Sequence, residues 1–201
     1  ALINLPSFSV ALVIVASLVV VTGAMAEDGF ADVADGFFGA QSQDRRLEIM
    51  ADSRVGAFGV VALIFALGLR VSSLAALFDH HGLIALSAAL LVCGALSRVA
   101  GILPLVFLPP VRPGGKSASV GRPSVVVTTI AVVTVLSLGA LFLFFGGVPP
   151  RGISSGLLLG LASAFPVMVL AQNKIGGQTG DVAGATQQVA EIVFLLALSV
   201  A

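Results

Sequence analysis

The chain has 201 residues, of which 58% are hydrophobic and 10% charged, with a formal net charge of zero. A soluble domain carries about 25% charged residues, so so few charges cannot coat a water-facing surface, and lipid must cover much of this one. Zero net charge also argues against a nucleic-acid partner.

A spanning helix needs roughly 20 apolar residues. Six runs qualify, at about 4–25, 56–78, 82–107, 124–146, 152–172 and 183–200. They predict an all-α polytopic transmembrane bundle, read as a single domain over 1–201, with a short cytoplasmic acidic helix. The chain opens at Ala1 in apolar sequence, which is read as a further segment ahead of it. Residues 10–26 end in Ala24-Met25-Ala26 and imitate a signal-peptidase site, but no basic region precedes them, so a spanning helix is the better reading. The links 27–54, 108–123 and 173–181 fall on one side and hold Arg45, Arg46, Arg54, Arg112, Lys116, Arg122 and Lys174. The opposite links hold only Arg151 among Lys and Arg. Excess Lys and Arg marks the cytoplasmic face, which predicts a multi-pass protein of the cytoplasmic (inner) membrane with its polar motifs facing the cytoplasm.

The first polar link is the densest. Asp28, Asp32 and Asp35 stand at i, i+4 and i+7, one face of a helix. Three carboxylates on one face repel unless a cation sits among them. Mg²⁺ is the expected cofactor, bound through carboxylates, substrate phosphates and water. Downstream come Glu48 and Asp52 at i, i+4, then Ser53 and Arg54; a metal together with Arg54 and its neighbours would offset the acids toward a phosphorylated substrate. The last link, NKIGGQTGD, offers Lys174, Gln178 and Asp181 in a Gly-rich stretch suited to cradling phosphate. Asp181, Gln188 and Glu191 then share a face of the final helix. Glu191 lies inside the membrane, where a carboxylate needs a partner; Arg98, at a similar depth after Ser97, is the expected one. Arg70 is expected to snorkel toward the far side. Asp79, His80 and His81 read as a surface turn.

An acidic helix, basic residues and a membrane setting together point to Mg²⁺-dependent phosphoryl or phosphodiester chemistry on an amphipathic substrate. The motifs DGFADVADG at 28–36, LEIMADSRVGAFG at 47–59, SR at 97–98, PPVRPGG at 109–115 and GGQTGDVAGATQQVAE at 176–191 resemble, in this order, the cobalamin synthase family of adenosylcobinamide-GDP ribazoletransferases. The family tends to carry His where this chain has Ala26, and no role is assigned there. The resemblance implies that α-ribazole or its 5′-phosphate is joined to adenosylcobinamide-GDP, releasing GMP. It implies Mg²⁺ on Asp28, Asp32 and Asp35, catalytic roles for Asp52, Arg54 and Asp181, and substrate or phosphate contacts from Ser53, Arg98, Arg112, Lys174, Gln178, Gln188 and Glu191. A homo-oligomer is compatible with this reading. The alternatives are a CDP-alcohol phosphotransferase of lipid synthesis and a cation-coupled transporter.

Overall fold

The computed structural model describes residues 5–111 and 121–200. Helix α1, Ser7–Thr22, follows Pro6 and ends where Gly23 turns left-handed at φ 65°. Ala24 is left-handed too, at φ 55°. Two such residues in a row swing the chain through 89° into α2, Met25–Gly39. The run expected to span at 4–25 is therefore a 16-residue helix with an elbow. The acidic segment is no solvent-exposed link: Ala31, Val33, Ala34 and Phe37 of α2 are buried in the bundle. Small residues make that possible, because α2 can then approach its neighbours closely.

Helix α3, Gln43–Ile49, is capped by Ser42, whose hydroxyl accepts the Arg45 N–H at 3.4 Å. Helix α4, Ala57–Phe107, runs for 51 residues but is broken at Gly82, where φ is 78° and ψ is −174°. Arg70 and Ser97 both touch the Glu191 carboxylate, each at 3.1 Å. On a straight helix they would stand about 40 Å apart at ~1.5 Å per residue, so the chain doubles back at Gly82. The two arms are the runs expected at 56–78 and 82–107.

Helix α5, Val125–Phe145, turns Val126, Ile130 and Phe145 outward. Helices α6, Pro150–Ala162, and α7, Ala164–Ile175, together form one apolar stretch of 26 residues. Helix α8, Gly180–Ser199, follows the Gly176 turn at φ 75°. Four of these stretches are long and apolar enough to cross a membrane, or five if the bent α1–α2 pair counts as one. The count falls short of six because the two arms of α4 register as one helix and α1 alone is short.

The final helix organises the bundle, packing on α2, α4, α6 and α7. One core joins Leu74, Leu86, Leu96, Leu143, Phe194 and Leu198; a second, nearer the acidic helix, joins Val33, Phe37, Met50, Ile175 and Val182. In lipid, helix association rests on close packing, and glycines mark the crossings. A methyl added at Gly101 would meet the Ala183 carbonyl oxygen at 3.0 Å, and one at Gly29 the Asp181 carbonyl oxygen at 2.9 Å.

Candidate active site

The contact of Gly29 with Asp181 decides the layout. It seats α2 on the first turn of α8, so two motifs about 150 residues apart in sequence share one corner. Asp28 is exposed there, and Asp32 and Asp181 are half-buried. Thr179 caps α8: its hydroxyl oxygen accepts the Val182 N–H at 3.3 Å and its O–H donates to Asp181 at 3.2 Å. The preceding link is pinned by backbone hydrogen bonds, Gln178 N–H to Pro109 O at 2.8 Å and Val111 N–H to Gln178 O at 3.1 Å. Across it, Gln43 and Arg46 of α3 donate to the carbonyls of Ile175 and Lys174 at 2.8 and 3.0 Å, satisfying the end of α7. The Lys174 ammonium lies 6.0 Å from the Phe38 ring centre. Arg112 lies outside the described residues.

Asp35 departs from its expected role. It is 8% exposed, and its two carboxylate oxygens accept the N–H groups of Gly56 and Gly59 at 2.7 and 2.9 Å. It thus caps the N-terminus of α4 from another helix, supplying acceptors and negative charge where amides are otherwise unpaired. Among the described residues, no three His, Cys, Asp or Glu side chains group to hold a metal ion. The three-carboxylate grip expected from the spacing is not formed, because Asp35 turns to α4. Asp35→Ala is expected to lower stability by about 2 kcal/mol, within the range for losing charged cap hydrogen bonds. Thermal melts in detergent test this; an unchanged melt would refute the cap.

Asp52 and Arg54 line a shallow recess with Asp35 and Gly56. The Arg54 side chain donates to both Asp52 oxygens, at 2.6 Å in the shortest contact. Those hydrogen bonds hold the Asp52 carboxyl down at about 2. Its folded value is depressed, so it stays ionised from mildly acidic pH upward and its pairing is lost only as pH falls toward that value. A carboxylate this weakly basic is poorly suited to take a proton from a sugar hydroxyl. Ser53 is exposed beside it.

Deeper in the bundle lies a network that sequence reasoning placed differently. Arg70, 4% exposed, does not snorkel. Its Nη1 donates to Glu27 at 2.6 Å and its Nη2 pairs with Glu191 at 3.1 Å. Nη1 also stands 3.5 Å from Gln188 Oε1, and Ser97 Oγ donates to Glu191 at 3.1 Å. Arg98, the expected partner of Glu191, is exposed and donates to the Gly94 carbonyl at 2.8 Å. Gln188 is fully buried in this network. Arg70 sits about 20 Å along α4 from Ala57, and Glu191 about 17 Å along α8 from Gly180. In a hydrocarbon core about 30 Å thick, the network lies near the middle. Arg70 and Glu27 were the residues missed. An ionisable group inside an apolar run was the available signal; what the sequence could not show was that α2, entered through the Gly23–Ala24 elbow, lays Glu27 against Arg70 on the first arm of α4.

The family model for cobalamin-5-phosphate synthase matches residues 1–199. An adenosylcobinamide-GDP ribazoletransferase of Azorhizobium caulinodans is 46% identical over 202 residues, 96% of this chain and 73% of that protein. Proteins of the same name from Sinorhizobium sp. and Brucella anthropi are each 41% identical, covering 98% and 99% of this chain and 75% and 76% of theirs. No solved structure matches. With matches of this extent, the alternatives of a CDP-alcohol phosphotransferase and a transporter fall away, and the chain belongs to the cobalamin-5-phosphate synthase family.

Proposed function

We infer that this transferase joins α-ribazole, or its 5′-phosphate, to adenosylcobinamide-GDP and releases GMP, closing the nucleotide loop of cobalamin. A ribose hydroxyl oxygen forms a bond to the phosphorus attached to cobinamide. The bond from that phosphorus to the oxygen bridging it to GMP breaks, the bridging oxygen leaves with GMP, and the hydroxyl proton passes to a base or to water. Beyond the family match, one observation carries the placement: Gly29 seated on Asp181 joins the acidic motif of α2 to the Gly-rich start of α8.

Mg²⁺ fits the donors that remain, since it binds through one or two carboxylates together with phosphate oxygens and water. Asp28 and Asp32 would hold it, and when bound it would supply charge neutralisation for the diphosphate. Asp181 stands beside them. Arg54 and Lys174 lie on the same side of the bundle and would balance the negative charge of the nucleotide, with Arg112 and Ser53 proposed to add phosphate contacts. Asp52 serves to orient Arg54 instead of acting as base, because the pair is already formed. Gln178 holds the loop through its backbone. The excess of Lys and Arg on this side supports a site facing the cytoplasm from the inner membrane.

The test is GMP release by purified protein in lipid, given adenosylcobinamide-GDP, α-ribazole 5′-phosphate and Mg²⁺. Equimolar GMP and corrinoid product are expected, and both should vanish with chelator and return with added Mg²⁺. Turnover that ignores chelator would remove the metal; no GMP at all would remove the transfer.

A further inference from the structure

One recess borders the buried ionic network and a second adjoins it, the two sharing Thr22, Ala26, Arg98 and Gln187 as walls. The outer one, about 630 Å³, is walled mainly by small and apolar groups, among them Gly101, Ile102, Leu105 and Ala183. The inner one, about 60 Å³, ends on Glu27, Arg70 and Glu191. The pair runs down one face of the second arm of α4, through Leu105, Arg98 and Leu90, and one face of α8, through Gly180, Gln187 and Leu195. Steps of seven and eight residues keep to a single helix face. The recesses therefore form one shaft, leading from the start of α8 toward the middle of the bundle, with the α1–α2 elbow as its third wall.

One oxygen lining this shaft has no hydrogen-bond partner among the described residues. Glu27 is 7% exposed; Arg70 holds its Oε1, whereas its Oε2 is buried with no hydrogen-bond donor. A buried carboxylate oxygen left without a donor is costly, and a hydroxyl supplies what it lacks. The inner chamber has space for only a few water-sized groups. The outer chamber is large enough for a flat bicyclic ring, and most of its walls are apolar.

We propose that this shaft is the nucleoside site: the bicyclic aromatic base of ribazole lies in the outer chamber, and a hydroxyl of its sugar donates to Glu27 Oε2 beside Arg98 and Gln187. The assignment rests on the ribazole-transfer reading and separates the two substrates, leaving the nucleotide donor to the acidic face of α2. A lipid acyl chain is the poorer occupant, since it has no group for a buried carboxylate, a guanidinium or an amide.

The experiment is equilibrium binding of α-ribazole and its 5′-phosphate to the protein in nanodiscs, followed by KM for each substrate. Ile102→Phe narrows the outer chamber and Ile102→Leu keeps its volume. Ile102→Phe is expected to weaken ribazole binding and raise its KM at least tenfold, with KM for adenosylcobinamide-GDP within twofold; Ile102→Leu stays within twofold on both. Should Ile102→Phe not fold, Leu105→Phe, closer to the mouth, reads the same chamber. Unchanged ribazole affinity in a folded, narrowed variant overturns the assignment, as does equal weakening of both substrates. Loss of a co-purified acyl lipid with ribazole binding intact overturns it in favour of lipid. If the wild type makes no GMP, the transfer reading fails and the assignment falls with it. If it makes GMP while ribazole ignores the narrowing, the assignment fails alone.

Discussion

Arg70→Met is expected to destabilise the protein by about 3–5 kcal/mol, the cost of breaking a buried ion pair from one side. Two carboxylates, Glu27 and Glu191, meet this guanidinium at 2.6 and 3.1 Å, and their side chains are only 9% and 13% exposed. Removing the cation strands both near the centre of the bilayer, where a charge is expensive. A large fall in the melting temperature in detergent, with reduced yield, is the readout. Arg70→Lys should fall between, because one ammonium cannot reproduce a fork whose two nitrogens serve different partners. The compensating variant is Arg70→Met with Glu27→Gln and Glu191→Gln. It removes every charge of the network and should recover most of the stability, as replacement of whole buried ionic clusters often does. A single Arg70→Met variant melting like the wild type would show the network to be dispensable for folding.

For Asp32→Asn the expected loss is in rate. GMP release should fall about 10²–10³-fold, the size of effect seen when one preorganised charge contact to a reacting group is removed. The melting temperature should change little, since Asp32 is half-buried and the substitution is isosteric. Asp28→Asn should behave likewise, and Asp35→Asn in the opposite sense, because its carboxylate caps α4. The three aspartates of one helix face are thus separated by two readouts, rate and melting. Retention of more than a tenth of the wild-type rate by Asp32→Asn at saturating Mg²⁺ would remove Asp32 from the site.

What could be read in advance follows from the range of the interactions. Apolar runs report directly on lipid contact, so α4, α5 and α8 were legible within a few residues of their ends. The elbow at Gly23–Ala24 was not, because nothing in a run of apolar residues marks where it bends, and Ala24 is not a residue type that advertises a positive φ. The acidic face of α2 was legible from a period of four and three. Which of its members would turn away was not: Asp35 is claimed by amides some twenty residues downstream, and only packing of α2 beside the start of α4 creates that demand. Depth along separate helices pointed to a partner for Glu191 but chose Arg98 over Arg70. Counting residues fixes height in the membrane and says nothing of azimuth: Arg98 is exposed along the recess beside α8, while Arg70 is buried against both carboxylates.

The position of α8 in the chain has a consequence for biosynthesis. It is the last helix described, yet it lies against α2, α4, α6 and α7. Glu191 comes from it, as do the Asp181 corner and one wall of the shaft. During synthesis Arg70 enters the membrane long before Glu191 has been made, with Glu27 as the only carboxylate partner of the finished network already in place. Until α8 arrives, an Arg70 already paired with Glu27 would lack its second carboxylate, and the acidic motif of α2 would lack the turn it packs on. A chain truncated before α8 would therefore lack one wall of the shaft and the Glu191 arm of the network together.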